Sequence, residues 1–324
     1  MPGLVRMLAV MMLTLAAGAA AAQDFPSRNV TMIVPFTAGG AGDILARSLA
    51  PKLEQRWGKT LIVDNKPGAG GVIGAVATAK AEPDGYTLMI APSATMAVNV
   101  SLFKTLPYDP VADFVPLALA AQTPFVLVVN PELPVNSIAD LVRYAKEKDG
   151  KLSYATAGPG VPHHLFAELL KSILGIQMSP VAYRGSLPAL NDVVAGHVPL
   201  MFVDLGPSLG IIQAGKVRPL GISTRARFAG LPDVPPLAEV GVPGFDAASW
   251  QMIVAPAKTP QPVVAKLHAD FNAVLDDADS KAAILRNGML PVPTTSIDNL
   301  KVFVSAEVAR WGKVVQQAGL TGSQ

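Results

Sequence analysis

The chain of 324 residues contains no cysteine. That excludes disulfides, thiol nucleophiles and cysteine-ligated zinc, and is compatible with an oxidising compartment. Charge is sparse and balanced: 26 Lys and Arg stand against 24 Asp and Glu, for a net charge of +2. With no basic run to concentrate that small excess, no nucleic-acid partner is expected. Long hydrophobic runs are also missing beyond the N-terminus, since every later apolar stretch is soon cut by Gly, Pro or a charge. No transmembrane span is therefore expected in the body of the chain. A G-x-S-x-G elbow is absent too, which removes the commonest signature of an α/β hydrolase.

What is present begins with an export signal. Arg6 supplies a thin positive region, Met7–Ala19 is apolar or small throughout, and Ala20-Ala21-Ala22 precedes the polar Gln23 and Asp24. The apolar core is shorter than the ~20 residues of a spanning helix, so residues 1–22 read as a signal peptide cleaved near Ala22. The mature chain is expected in the periplasm. Its length suits two domains of about 100–200 residues each.

Strand and helix signals then alternate almost to the end, the pattern of an α/β fold with mainly parallel sheets. The first unit is the most telling. Thr31–Val34 forms a strand, Pro35 interrupts the ladder, Gly39, Gly40 and Gly42 make a turn, and a helix runs from Asp43 to Trp57 with Gly58 as its stop. This order aims a helix N-terminus, with unpaired N–H groups and partial positive charge, at the end of a buried strand, where anions bind. The segment Tyr154–His164 repeats that logic: a short strand, glycines 158 and 160, Pro162 at a helix start, then a helix from His163 to Leu174. Between and after these lie Leu61–Val63, the Val72–Ala81 helix, Tyr86–Ile90, Phe114–Ala121, Phe125–Val129, the Ser186–Ala195 helix, Leu200–Val203 and Val217–Ser223. Leu231–Phe245, rich in Pro and Gly, reads as a long surface connection, after which Gln251–Ala255 and two terminal helices return. Crossings near Thr123 and within Leu231–Phe245 predict a first domain of residues 23–123 plus 246–324, a second of 124–245, and a hinged cleft between them.

Other motifs carry less. Gly68–Gly74 has Ile73 where a dinucleotide fingerprint needs its third glycine, and lacks an acid about 20 residues on, so it is a structural turn. His163, His164 and Glu168 lack a third ligand at suitable spacing; no metal and no cofactor are expected. Asp43 is expected to support the first helix, and Asp276-Asp277 to lie in a solvated helix connection. Asp204 ends an apolar strand, placed either to meet a ligand or to cap the following helix. Ser93 and Ser186 have no partners assignable from sequence, and no catalytic set is evident.

Taken together, FPSRNVTMIVPFTAGGAGDILAR, VDNKPGAGGVIGA, AEPDGYTL, LPYDPVADFVPLA, LSYATAGPGVPHHLFAELL, VAYRGSLPALNDVVAGHV, LMFVDLGPSL, AGKVRPLGIS and LPDVPPLAEVGVPGF closely resemble, in number and order, the Bug/TctC family of tripartite tricarboxylate transporter binding proteins. The resemblance implies a two-domain type II periplasmic-binding-protein (Venus flytrap) fold, each domain a mainly parallel sheet flanked by helices. It implies capture of a di-, tri- or aromatic carboxylate through waters and loop amides, delivery to membrane transporter subunits, and a monomer without enzymatic activity. Carried onto this chain, its ligand-binding positions are Phe36, Thr37, Ala38, Gly39 and Gly40; Ser93, Ala94 and Thr95; and, from the other domain, Thr156, Ala157, Gly158, Gly160, His163 and Asp204. The chain departs from the family at Val161-Pro162, at Leu205, and at Gly206-Pro207-Ser208. The first two departures remove polar groups and favour a less polar cargo. Two rival readings share the cleft: an exported hydrolase of a carboxylic ester or amide, and a sensor subunit that reports to a membrane receptor.

Overall fold

The computed structural model describes residues 25–324; the signal-peptide reading of residues 1–22 lies outside them. The ten strands among the described residues form two five-stranded sheets. The first has the order β2-β1-β3-β10-β4, from β1 (Val30–Val34), β2 (Leu61–Asn65), β3 (Thr87–Pro92), β4 (Phe114–Thr123) and β10 (Ser249–Pro256). The second has the order β7-β6-β8-β5-β9, from β5 (Phe125–Val129), β6 (Ser153–Thr156), β7 (Ser179–Ala182), β8 (Leu200–Asp204) and β9 (Arg218–Ile222). The helices are α1 (Ala41–Trp57), α2 (Val72–Ala79), α3 (Asn99–Leu102), α4 (Ile138–Glu147), α5 (Pro162–Leu174), α6 (Ser186–Val194), α7 (Leu205–Gln213), α8 (Gln261–Asp276), α9 (Ala278–Arg286) and α10 (Ile297–Gln317).

The two sheets share one topology. In each, a first strand lies between the second and third, all three parallel; a reversed strand follows, and then an edge strand. The reversed strands are β10, antiparallel to β3 and β4, and β5, antiparallel to β8 and β9. Both are the first strand laid down after the chain changes sheet: it leaves the first sheet between Thr123 and Phe125 and re-enters it at Ser249. Each sheet is thus mixed, with four strands pointing one way and one against them. Correspondence of β1 with β6 places the two glycine turns at equivalent strand ends. β3 and β8 correspond likewise, so Ser93 and Asp204 stand at comparable ends.

Local chemistry explains the elements. β1 buries four of its five residues, as expected of a strand covered on both faces. Gly58 closes α1 in the left-handed region, its N–H donating to Glu54 O at 2.8 Å. Ser137 caps α4 by accepting from the Asp140 N–H at 3.1 Å. Asp276-Asp277 is a helix junction in which Asp277 accepts the N–H groups of Asp279 and Ser280, opening a helix, α9, that the sequence reading did not name.

The long passage Leu231–Phe245 is not the surface connection expected from its composition. Leu237 and Val242 are fully buried and Phe245 nearly so, around a short 3₁₀ turn at Leu237–Glu239. Pro and Gly signalled irregular backbone correctly, but the apolar residues between them belong to the core. There Phe245 stacks on Phe202 at 5.7 Å, and Phe202 meets Phe166 edge-on. Phe166 in turn stacks on Trp311 of α10, with centroids 5.6 Å apart. That last contact joins the helix layer of one sheet to that of the other. Trp311 and Trp250 both donate their indole N–H to Oε2 of buried Glu307, at 2.9 and 2.8 Å, which satisfies the acceptor while the rings pack.

Near the crossings the backbones of two segments nearly touch. A Cβ on Gly206, in the first turn of α7, would stand 2.5 Å from Asn287 O. A Cβ on Gly288 (φ +71°) would stand 2.4 Å from Gly206 Cα. Backbone cannot yield as a side-chain tip can. Gly206→Ala and Gly288→Ala are each expected to lower unfolding free energy by about 2 kcal/mol or more in urea titrations. A loss under ~0.5 kcal/mol in both, the range of neutral surface changes, would contradict this close approach.

Candidate functional site

At the C-terminal ends of the parallel strands, between the two sheets, lies a cavity of about 340 Å³. This is the position at which open α/β sheets hold small ligands. One wall comes from the β1–α1 turn (Phe36, Thr37, Gly40, Gly42) and the end of β3 (Pro92, Ala94); the opposite wall from Ala157, Val161, Pro162, His163, Ser186 and Asp204. Thr123, Phe125, Ser249 and Gln251, at the strands that link the sheets, form the floor.

Helix starts dominate the lining. α1 begins after Gly40, α5 after Val161, α6 after Gly185 and α7 after Asp204, and none of the four has a side-chain cap. All four capping positions line the cavity. Gly40, Val161 and Gly185 have no side-chain oxygen with which to cap. Side-chain caps do occur at α4, α9 and α10, on Ser137, Asp277 and Ser296, none of which lines the cavity. The richest donor set is on α1. Its ladder begins with the Ile44 N–H donating to Gly40 O at 3.0 Å, which leaves the N–H groups of Ala41, Gly42 and Asp43 without an intrahelical acceptor. α5 offers less: Pro162 has no N–H, and the His164 N–H donates to Val161 O at 2.9 Å.

Several polar side chains of the cavity are buried without a partner among the described residues. They are Thr123 Oγ1, His163 Nδ1 and Gln251 Oε1, on residues 5%, 8% and 4% exposed. Leaving such groups unpaired costs about 1–3 kcal/mol each, so their clustering in one cavity points to a polar ligand.

The positions expected from sequence divide into two sets. Phe36, Thr37, Gly40, Ala94, Ala157, His163 and Asp204 line the cavity. The others stand beside or beneath it. Ala38 and Gly39 are on the exposed outer part of their loop. The Gly39 N–H is taken by Asp43 Oδ2 at 2.9 Å. Ser93 lies buried and shares a hydrogen bond with Ser249 at 3.0 Å. Thr95 is fully buried with its hydroxyl unpartnered, and Thr156 donates to Gly158 O at 2.9 Å. Gly158 (φ +136°) and Gly160 (φ +71°) shape the turn; the Gly160 N–H donates to His164 Nδ1 at 3.2 Å, and a Cβ there would meet the Leu102 side chain. Gln251, Ser249 and Thr123 were not anticipated. Only the sheet crossing, not a local motif, brings them to the floor.

Asp204 does not cap α7. Its Oδ1 accepts from Ser186 Oγ, and His163 Nε2 lies 3.1 Å from both Asp204 Oδ1 and Ser186 Oγ. Burial opposes its ionisation, but the hydrogen bonds and charge of His163, with Ser186 and its own N–H, hold the carboxyl below the usual carboxylate range. Asp43 resolves likewise. Burial works against the charge, while Arg47, the Gly39 N–H and Asn65 keep the carboxyl low. Burial pushes the neighbouring His164 ring down, partly offset by Glu168.

A serine, a histidine and an aspartate thus meet in the cleft, although sequence could not assign them to one another. Their arrangement is not that of a hydrolytic triad. There the imidazole stands between hydroxyl and carboxylate, using a different nitrogen for each. Here one nitrogen faces both, Ser186 donates directly to the carboxylate, and Nδ1 has no partner. The set can hold a carboxylate rigid and ionised; it does not position a base to activate Ser186. Among the described residues no group of His, Asp and Glu is arranged to hold a metal.

The chain is similar to known proteins over most of its length. A model described as "tripartite tricarboxylate transporter family receptor" matches residues 45–320. The chain is 37% identical over 319 residues to protein BugT of Bordetella pertussis, covering 97% of this chain and 98% of that one. It superposes on Rpa4515 of R. palustris, solved with adipate, with a TM-score of 0.83 at 38% identity, covering 92% of this chain and 99% of that one. MatC of Rhodopseudomonas palustris, solved with bound malate, gives 0.79 at 33% identity, covering 90% and 100%.

The titrations carry a sign. Asp43 and Asp204 titrate below their ordinary value of 3.8 in the folded state, so their contribution is complete above that pH and lost beneath it. His164, lowered from 6.5, favours the fold while neutral and loses its contribution as pH falls below that value. The melting temperature is expected to decline on acidification in two stages, below 6.5 and again below 3.8. A melting temperature that rises between neutral pH and pH ~5 would contradict these assignments.

Proposed function

As the chain belongs to the tripartite tricarboxylate transporter family of receptors, we propose that it is an extracytoplasmic solute-binding protein that captures a small carboxylate in the cleft and delivers it to membrane transporter subunits. The observation that carries this reading is the convergence of four uncapped helix starts on one cavity that also holds three buried, unpartnered polar atoms. No Lys or Arg lines that cavity, so the anion's charge is met by N–H groups and helix dipoles. The adipate and malate bound in the two relatives support a carboxylate cargo.

In this reading the leader of residues 1–22 directs export to the periplasm and is removed there. Residues 23–123 with 246–324 form one lobe, residues 124–245 the other, and the protein works as a monomer without catalysis or cofactor. The ligand is held by Phe36, Thr37, Gly40, Ala94, Ala157, His163 and Asp204, with the first turn of α1 receiving its carboxylate. Contacts from both lobes favour the closed form, because ligand shifts the equilibrium only through interactions better made there.

A thermal-shift screen of di- and tricarboxylates, hydroxy acids and aromatic acids tests the proposal. A ligand at about a hundred times its Kd adds roughly 2.7 kcal/mol of stability, so at least one carboxylate is expected to raise the melting temperature by several degrees. Gly40→Leu should abolish that shift while leaving the unliganded melting curve nearly unchanged. Its φ of −78° suits any residue, and the nearest atom to an added Cβ is Thr37 O at 3.4 Å. A shift produced only by neutral solutes, or fully retained in Gly40→Leu, would refute capture at this site.

A further inference from the structure

The turn between β6 and α5 brings Ala157, Val161, Pro162 and His163 to the cavity. Two of its residues, Gly158 (φ +136°) and Gly160 (φ +71°), have backbone that only glycine adopts freely, so the turn's own side chains do not fix its shape. What holds it lies behind the cavity. Thr156 Oγ1 donates to Gly158 O at 2.9 Å, and the buried Gly160 N–H donates to His164 Nδ1 at 3.2 Å. On its other side Gly160 rests on Leu102 of α3, so closely that a Cβ would stand 2.3 Å from the leucine side chain. His164 does not itself line the cavity; it acts on the ligand's surroundings only through this turn.

An acceptor at Nδ1 requires a neutral His164 ring with its proton on Nε2, an assignment made from the hydrogen-bond network. A nearby carboxylate would ordinarily favour the cationic ring, and Glu168 Oε1 stands 3.9 Å from Nε2. That carboxylate is already engaged. Lys171 Nζ lies 2.8 Å from both of its oxygens, and Tyr154 of β6 donates to Oε1 at 2.5 Å. Burial, the largest influence, holds the ring's pKa below its ordinary value; Glu168 raises it and Lys171 lowers it, and no other charged group acts on the ring. The remaining elements packed against α5 have their charges turned elsewhere. On β8, Asp204 meets His163 and Ser186; on α10, Glu307 is taken by Trp250, Trp311 and Arg310. α3 has no charged residue.

We propose that His164 is a positioning residue for ligand capture: its neutral ring holds the Gly158–Gly160 turn in the form that lines the cleft, and protonation of the ring releases the turn and weakens binding. This rests on the carboxylate-capture reading and adds to it a dependence on pH. A proton added at Nδ1 replaces the acceptor with a second donor facing the Gly160 N–H. The hydrogen bond is then lost, and a buried N–H is left without a partner. The glycine backbone gives the turn freedom to move away, and Ala157, Val161, Pro162 and His163 move with it. Linkage requires the converse as well. A bound ligand favours the neutral ring, and one displaced proton changes affinity by at most about tenfold per pH unit.

Two readouts on the full mature chain test this. In ligand-free protein followed by NMR from pH ~7.5 to ~5, the Gly160 amide proton should move upfield with the same midpoint, below 6.5, as the His164 ring. A ring that stays neutral throughout, or a Gly160 amide that does not follow it, would overturn the inference. Calorimetric titration with malate, succinate, adipate and benzoate at the two ends of that range then reads capture. For an acid that binds, Kd should rise on acidification about threefold more in the unmodified protein than in His164→Asn. The Asn Oδ1 takes the place of Nδ1 as acceptor but does not titrate, and the ligand's own titration is common to both proteins. At pH ~7.5, His164→Leu, which has no acceptor, should bind about tenfold more weakly, and His164→Asn should recover most of that loss. An equal response to pH in His164→Asn and the unmodified protein would overturn the inference while leaving carboxylate capture standing. Should His164→Asn fail to fold by circular dichroism, the Gly160 titration decides alone. Failure of all four acids to bind would overturn both this inference and the capture reading beneath it.

Discussion

Everything in the cleft depends on helix N–H groups that the protein leaves without side-chain partners. A helix start has donors that must be satisfied by a cap, water or a ligand. Away from the cleft, Ser137, Asp277 and Ser296 cap three helix starts, while α2, α3 and α8 begin without a side-chain cap. Where the strands of both sheets end, the chain places Gly40, Val161 and Gly185 instead, and the one residue able to cap, Asp204, turns away to His163 and Ser186. The donor field this creates is fixed by backbone, costs no side-chain entropy to organise, and suits an anion without a lysine or arginine clamp. A micromolar affinity is about −8 kcal/mol. A few charge-assisted hydrogen bonds at roughly 1.5–3 kcal/mol each supply that, less the cost of association.

The shared topology of the sheets brings these donors together. Each sheet has its first strand in the middle, its glycine turn at that strand's end, and a reversed strand inserted by the chain's change of sheet. Two such units, joined at the reversed strands, face their turns across a common crevice. Behind it, Phe166 on Trp311 and the close approach of Gly206 to Gly288 tie the halves together.

Much of the fold was legible in the sequence because its signals are local. Val30–Val34, the glycine stop at Gly58, the Ser137 cap and Pro162 at a helix start each declare an element through short-range chemistry. Leu231–Phe245 misled because Pro and Gly report backbone shape, whereas the burial of Leu237, Val242 and Phe245 depends on distant aromatics. Within the site, the glycine turns marked the two loops, and the family resemblance placed Phe36, Thr37, Gly40 and Ala157 on them, all of which line the cavity. Gln251, Ser249 and Thr123 were invisible, since they reach the floor only through pairing of β10 with β3 and β4. The contact of His163 and Ser186 with Asp204 was hidden for the same reason: it joins residues 41 and 18 positions apart.

The central claim is that N–H groups at the start of α1 receive a ligand carboxylate. Amide nitrogen–proton NMR of the isotopically labelled protein tests it most directly. Addition of a saturating bound carboxylate should move the Ala41 and Gly42 amide protons downfield, as charge-assisted hydrogen bonds form, more than the capped amides at the start of α4. If ligand binds while the Ala41 and Gly42 resonances stay in place, the anion is held elsewhere and the account is contradicted.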